Sequence, residues 1–288
     1  RDSSTSRGLG DVYKRQMLDM DKSFYPDNFV VPLVEIVHDR AVQEIFRGCI
    51  RGCRFCQAGM IYRPNREKKV DHLKDVAAAL IKNTGHEEIS LSSLSSSDYK
   101  ELDELITFLL DICKEKKINI SLPSLRIDAF SLDIMQKVQD VKKSSLTFAP
   151  EAGTQRLRNV INKGLTVDDI MNGSKQAFEG GWNKVKFYFM LGLPTETEED
   201  MRGIPELAND VAALYYDTVP KEKRAGKCQI TISTSFFVPK PFTPFQWATM
   251  LDPSDYLARA KIVNDHVKEQ LNHKSIRYNW HEADVTVL

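Results

Sequence analysis

The chain has 288 residues, 42% of them hydrophobic, which is enough to bury one core of barrel size or two small ones. Lysine plus arginine and aspartate plus glutamate are both 40, which excludes a strong overall field drawing the chain to nucleic acid or an anionic membrane. The longest apolar stretches, such as 185–194, fall far short of the roughly 20 residues of a membrane span, so no membrane partner is expected.

Residues 1–16 (RDSSTSRGLGDVYKRQ) have no apolar periodicity, and 11–16 resembles the translated end of a transposon adapter. The other reading is a disordered N-terminal arm. On the adapter reading the natural protein extends upstream of Met17, and 17–40 is a linker or the remnant of an upstream domain. From about Ala41, short β-branched or aromatic runs alternate with stretches of helical period, the pattern of βα units around a parallel sheet. Strands are expected at 42–46, 88–91, 119–122, 145–148, 184–191 and 229–237, and helices at 70–83, 97–115, 131–138, 154–160, 166–180 and 198–216. In the first of these helices Val70, Leu73, Val76, Ala77, Leu80 and Ile81 form one stripe. Thr166, with Asp168 and Asp169 behind it, is a helix cap, and Gly180 and Gly181 are a stop. Six such units over 41–250 predict an α/β fold, a partial (β/α)6 TIM-like barrel, shorter than a closed eight-unit barrel and open along one side. The segment 236–247 (FFVPKPFTPFQW) is too rich in proline for a central strand. A helix at 253–270 follows, apolar at Tyr256, Leu257, Ala260, Ile262, Val263 and Val267. The closing residues 284–288 (DVTVL) read as the start of an element with nothing to pack on, so 251–288 is taken as a C-terminal helix and the beginning of a truncated following segment.

Residues 47–56 read RGCIRGCRFC, placing Cys49, Cys53 and Cys56 at a Cys-x3-Cys-x2-Cys spacing directly after the first strand. Three thiolates can each take one iron of a 4Fe-4S cubane only if the backbone wraps tightly, and Gly48 and Gly52 permit that wrap. A fourth iron is then left without a protein ligand. A structural zinc site wants four protein ligands, usually from two paired knuckles, and no second Cys-x2-Cys or His-x3-His pair exists. A redox dithiol would leave Cys49 unexplained. Cys113 and Cys228 stand alone and read as core residues. Cysteines clustered in this way are no secreted disulfide framework, and a labile iron site needs a reducing compartment, so a cytoplasmic location is expected.

Ligands of parallel α/β structures bind at the C-terminal ends of strands. Polar residues there include the serine run 92–97 with Asp98, Arg126 within SLRIDAF, Glu151 within TFAPEAGT, Lys163-Gly164, and Gly192 within GLPTET. Taken with CRFCQAGMIYRPNRE and FFVPKPFTPFQW, these stretches resemble the radical S-adenosylmethionine (SAM) superfamily in order and strand position, over roughly 42–234. Within it they resemble a bacterial group with a cobalamin-binding-like domain upstream and a further domain downstream. The resemblance implies that Cys49, Cys53 and Cys56 hold a 4Fe-4S cluster whose open iron binds SAM through its amino and carboxylate groups. Reductive cleavage then gives a 5′-deoxyadenosyl radical that takes a hydrogen from a substrate. It further implies that Phe55 lies beside the adenine, that Ser95 and Ser96 stand where the family has a glycine-rich turn for the SAM amino group, and that Glu151 contacts the ribose. Arg126 would meet the SAM carboxylate, and Gly192 would pack near the adenine. A helix cap at 95–98 and a surface salt bridge for Arg126 remain open as alternatives. Tyr62, Arg63, Arg66, Tyr188 and Met190 either line the substrate side or serve packing and surface charge. An external electron donor of flavodoxin or ferredoxin type is implied, and cobalamin only through the upstream domain, since this chain has no cobalamin signature. RNA is a possible substrate, as is a small molecule, with Lys68, Lys69, Lys142, Lys143 and Lys240 either touching phosphate or simply solvated. A non-catalytic iron–sulfur or zinc-binding scaffold is the alternative from another class.

Overall fold

The computed structural model describes residues 19–122, 126–129 and 146–287. The leader at 1–16, the helix expected at 131–138, and Lys142 and Lys143 lie outside the described residues. The strand expected at 42–46 is divided. β1 (Ala41–Glu44) enters the first sheet, and after Ile45 the chain turns into β2 (Phe46–Arg47), which pairs antiparallel with β3 (Arg66–Glu67). The short helix α1 (Ala58–Ile61) lies between β2 and β3. Beyond them α2 (Val70–Thr84) buries Val70, Leu73, Ala77, Leu80 and Ile81, the stripe expected from the sequence. β4 (Glu88–Ser92) and β5 (Asn119–Ser121) complete a parallel sheet of order β1-β4-β5. The helix expected from residue 97 begins later: a 3-10 turn occupies Ser96–Asp98, and α3 spans Leu102–Lys114.

The second sheet is also parallel, of order β6-β7-β8-β9. It comprises β6 (Leu146–Glu151), β7 (Lys184–Leu191), β8 (Gln229–Phe236) and β9 (Ile276–Trp280). β6 runs on to Glu151 despite Pro150, with a register irregularity between Phe148 and Glu151. β9 extends the sheet beyond the six expected strands. Its helices are α4 (Gln155–Val160), α5 (Val167–Glu179), α6 (Glu198–Thr218) and α7 (Pro253–Glu269). Thr166 with Asp169, and Thr197 with Asp200, form reciprocal capping boxes that start α5 and α6.

β7 shows how the sheet faces divide. Val185, Phe187, Phe189 and Leu191 are buried in one core with Ile170, Phe178, Ile204 and Val211 from the covering helices, each large side chain contributing roughly 1.5–3 kcal/mol. Lys186, Tyr188 and Met190 alternate to the opposite face. In α7 Tyr256, Ala260, Val263 and Val267 are buried as the apolar pattern requires, whereas Leu257 is exposed. The closing residues form α8 (Ala283–Val287), and Ala283 packs into the main core. Among the described residues no helix is long and apolar enough to cross a membrane.

Candidate functional site

The cysteine loop leaves β2 at Gly48, whose φ is +103° and whose missing Cβ would stand 2.7 Å from the Tyr62 carbonyl oxygen. A side chain has no room there, so the chain can fold closely over 62–65. Cys49, Cys53 and Cys56 follow, all half-buried and all free thiols. The Cys56 amide donates to the Cys53 carbonyl at 3.1 Å, and the Arg51 amide donates to the Cys49 sulfur at 3.4 Å.

Two walls hold this loop. On the side of the first sheet, the Arg51 guanidinium binds both carboxylate oxygens of Asp98, at 2.6 and 3.3 Å, and lies 3.8 Å from Asp128. Burial alone would raise the Asp98 pKa, but the side-chain hydrogen bonds of Arg51 and Ser95 and the charges of Arg51 and Arg126 together outweigh it and hold the carboxyl below the usual range. On the side of the second sheet, the Arg54 amide donates to the Ile161 carbonyl at 2.9 Å and its guanidinium to the Val160 carbonyl at 2.6 Å. The Asn162 side chain donates to the Gly52 carbonyl at 2.8 Å. Cys53 is thereby brought among charged groups. Burial pushes its thiol pKa up, Lys163 and Arg126 pull it down, and Cys56 and Glu151 push it up again. Among the described residues no three cysteine, histidine, aspartate or glutamate side chains are gathered around one ion-sized point. Three thiols on one wrapped loop, each free to meet a different iron, are a donor set that fits a cubane.

The other expected site residues fall into two groups. Arg126, Glu151 and Lys163 lie near Cys53. Glu151 has a left-handed φ of +69°, sparsely populated for a residue with a side chain, and its carboxylate meets the Lys163 ammonium at 3.1 Å. Arg126 makes a two-pronged pair with Asp128 at 2.9 and 3.0 Å, with only 11% of its side chain exposed, so the salt bridge foreseen for it is real but is not a surface one. Arg126, Asp128, Ala149 and Lys163 help line a small cavity of about 40 Å³. Phe55 and Met190 pack against one apolar cluster of Ala152, Leu157, Ile161, Leu193 and Phe237. Ser95 and Ser96 are buried, and the Ser96 hydroxyl meets that of Ser93 at 2.9 Å. Ser95 makes no side-chain cap bond to the 3-10 turn that follows, which corrects the capping alternative for that residue.

Gly192 belongs to the second group. Its φ is +81°, and a Cβ there would approach the Tyr256 ring to 2.5 Å, so packing against α7 accounts for it. Its amide donates to Glu196 at 2.8 Å. Lys68 also departs from expectation, being 2% exposed with its ammonium 4.1 Å from the centre of the Tyr25 ring, which corrects both readings of it as a surface or phosphate-contacting lysine. Lys69 and Lys240 are exposed. Cys113 and Cys228 are buried as expected, and burial pushes the Cys228 thiol up to about 12.

Several residues escaped sequence reasoning. Arg54 and Asn162 are examples, and Arg158 is another: fully buried, it donates to the carbonyls of Ala152 and Gly153 and so fixes the turn after Glu151. A cavity of about 450 Å³ opens beside the cysteine loop, lined by Glu44, Arg47, Gly48, Tyr62 and Ser92 to Leu94. Another, of about 230 Å³, lies among Phe178, Trp182, Tyr215 and Val219 beyond the N-terminal end of β7, away from the cysteines.

A profile of the Radical SAM superfamily matches residues 44–208, more than half of the chain. An uncharacterized protein of Methanocaldococcus jannaschii is 38% identical over 237 residues, covering 82% of this chain and 48% of that protein. A putative methylthiotransferase of the same organism is 27% identical over 164 residues, covering 54% of this chain and 36% of that one. The chain thus spans about half the length, or less, of these curated relatives. Among solved structures, the radical S-adenosylmethionine methyltransferase TsrM from Kitasatospora setae, with cobalamin and a 4Fe-4S cluster bound, is similar with a TM-score of 0.53 at 14% identity. That likeness covers 71% of this chain and 35% of TsrM, and it is a likeness of fold.

Proposed function

Because the chain belongs to the radical SAM superfamily, we propose that Cys49, Cys53 and Cys56 hold a 4Fe-4S cluster and that the protein cleaves SAM reductively to act on a further substrate. The observation that carries this reading is the set of three free, half-buried thiols on one loop tied to both sheets. When bound, such a cluster supplies the single electron for SAM cleavage. The protein's own residues do the positioning. Arg51 and Arg54 hold the loop against the two walls. Lys163 places the Glu151 carboxylate, proposed to meet the ribose hydroxyls, beside the cysteines. Phe55 and Met190 offer an apolar surface for the adenine that also excludes water. Ser95 and Ser96 stand near the SAM amino group, and Arg126 near its carboxylate once it is released from Asp128. Gly192 remains near the adenine as the wall behind Leu193.

The electron comes from a flavodoxin or ferredoxin type donor, and the reducing interior of a cell, the cytoplasm, suits the free thiols. Residues 41–250 make the catalytic core, to whose second sheet 251–288 adds α7 and β9, 17–40 is its junction with an upstream segment, and cobalamin enters only through an upstream domain. Substrates of two kinds fit, an RNA in a methylthio-type modification or a small molecule in alkylation. The test is anaerobic reconstitution with iron and sulfide, reduction with dithionite in the presence of SAM, and chromatography for 5′-deoxyadenosine. Wild type should produce it and Cys53→Ala should fall to background. A stable cluster without SAM cleavage would overturn this reading in favour of a non-catalytic scaffold.

A further inference from the structure

The face of β7 turned away from the helices carries Lys184, Lys186, Tyr188 and Met190. Met190 shares its apolar cluster with Phe55 of the cysteine loop. At roughly 3.3 Å per strand residue, Tyr188 lies about 7 Å and Lys186 about 13 Å back along the strand from Met190. The register sets Lys186 between Thr147 of β6 and Thr231 of β8, sets Tyr188 beside Ser233, and carries the Thr231 row on to Arg277 of β9. This face therefore presents hydroxyls and cations where a closed barrel would pack aliphatic side chains.

Lys186 is half-buried and donates to the Tyr188 hydroxyl at 2.8 Å, its ammonium 4.4 Å from the centre of the same ring. The strand-end cations Arg47, Arg51, Arg126 and Lys163 each meet a carboxylate. Among the described residues no carboxylate meets Lys186 or Arg277. A half-buried ammonium without a counter-charge gives up hydration with no ionic return, so an anion arriving beside it finds a ready partner. The Tyr188 oxygen accepts from Lys186, which leaves its own O–H to donate to such an anion.

We propose that Lys186 and Tyr188 form an anchor for an anionic oxygen group of the substrate, a carboxylate or a phosphate, set back from the cysteine loop along the inner face of β7. The anchor deepens the reading of this face as the substrate side of a radical SAM enzyme and rests on that reading for its purpose. Its anion-binding property does not depend on SAM cleavage.

The test uses the full chain, cluster-loaded and cluster-free in parallel, titrated calorimetrically with inorganic phosphate and with malonate at constant ionic strength. Whichever anion binds the more tightly identifies the head group. Lys186→Gln should weaken that binding roughly tenfold or more, and Tyr188→Phe by a smaller factor, as expected for a charge-assisted hydrogen bond and its neighbour. Lys186→Arg keeps the charge and should retain most of the affinity, and Lys116→Gln on the remote surface should bind as wild type. Circular dichroism of each variant separates lost binding from lost folding. Equal affinity in wild type and Lys186→Gln, or no binding of either anion by wild type, overturns the anchor. Failure of wild type to make 5′-deoxyadenosine instead overturns the cluster reading, and the titrations then still decide whether the anion site exists.

Discussion

Glu196 offers a quantitative test of how the second sheet is joined to α7. Its side chain is 2% exposed, accepts the Gly192 amide at 2.8 Å, and lies 3.6 Å from the Arg259 guanidinium. Burial dominates over these partners and pushes its pKa from 4.5 up to about 7. In the unfolded chain the group loses its proton near the ordinary value, while the folded chain keeps it to about 7, so the folded state binds more protons across that window. Stability contributed by the neutral carboxyl is therefore present below about pH 4.5 and is lost as the pH rises through about 7. At about 1.4 kcal/mol per unit, the loss is on the order of 3 kcal/mol. Glu196→Gln removes the titration while keeping an oxygen for the Gly192 amide. Urea unfolding of the metal-free chain between about pH 5 and about pH 8 should show the variant gaining on wild type by about 2.5 kcal/mol as the pH rises, the remainder having been lost below about pH 5. Asp98 and Asp200 shift the other way, with pKa values held low, and they cancel in the comparison because both proteins carry them. Parallel pH curves for the two proteins would refute the argument.

Two further substitutions probe the supports of the site. A Cβ at Gly153 would stand 2.4 Å from the Ile204 amide nitrogen and 2.6 Å from the Asp200 carbonyl oxygen, backbone atoms of α6 that cannot swing aside. Gly153→Ala should therefore cost about 1–3 kcal/mol and lower the thermal midpoint by roughly 2–4 °C for each of them; no shift in the midpoint would show that α6 does not press on this turn. Asp98→Asn removes the charged partner of Arg51 and, with it, about 1.5–3 kcal/mol of hydrogen bonding that fixes the cysteine loop. The reconstituted variant should lose iron and sulfide to a chelator several-fold faster than wild type, and equal retention would show that the pair does not brace the loop.

The parts of the fold that were legible in the sequence are those whose causes are local. β7 was placed at Lys184–Leu191 from its own run of residues, and the start of α5 from the Thr166 and Asp169 pair three positions apart. The strand expected at 145–148 runs on to Glu151, because the irregular register between Phe148 and Glu151 lets pairing with β7 resume beyond Pro150, a feature that only the partner strand reveals. β9 was missed because Ile276, Tyr278 and Trp280 gain their meaning from parallel pairing with β8, more than forty residues earlier in the chain. Lys68 was misread for the same kind of reason, since the Tyr25 ring that covers it lies far off in the sequence. Arg126 was read with two open partners, and its neighbour Asp128 takes the guanidinium by proximity.

The cysteine spacing specifies which atoms can meet a metal, but it does not specify that they stay in place. A loop containing Gly48 and Gly52 has more backbone freedom to lose on ordering than most, and each ordered residue costs about 1–2 kcal/mol of conformational entropy. The bonds that offset this cost come from outside the motif. Asp98 lies 47 positions beyond Arg51 and the Val160 carbonyl 106 beyond Arg54, while Asn162 reaches back 110 positions to Gly52. Asp98 lies between β4 and β5 of the first sheet, whereas Val160 ends α4 beside the second sheet and Asn162 follows it. The loop is therefore ordered only when both sheets have folded and stand in their proper relation. It follows that a substitution misaligning the sheets should release the cluster before it unfolds either core.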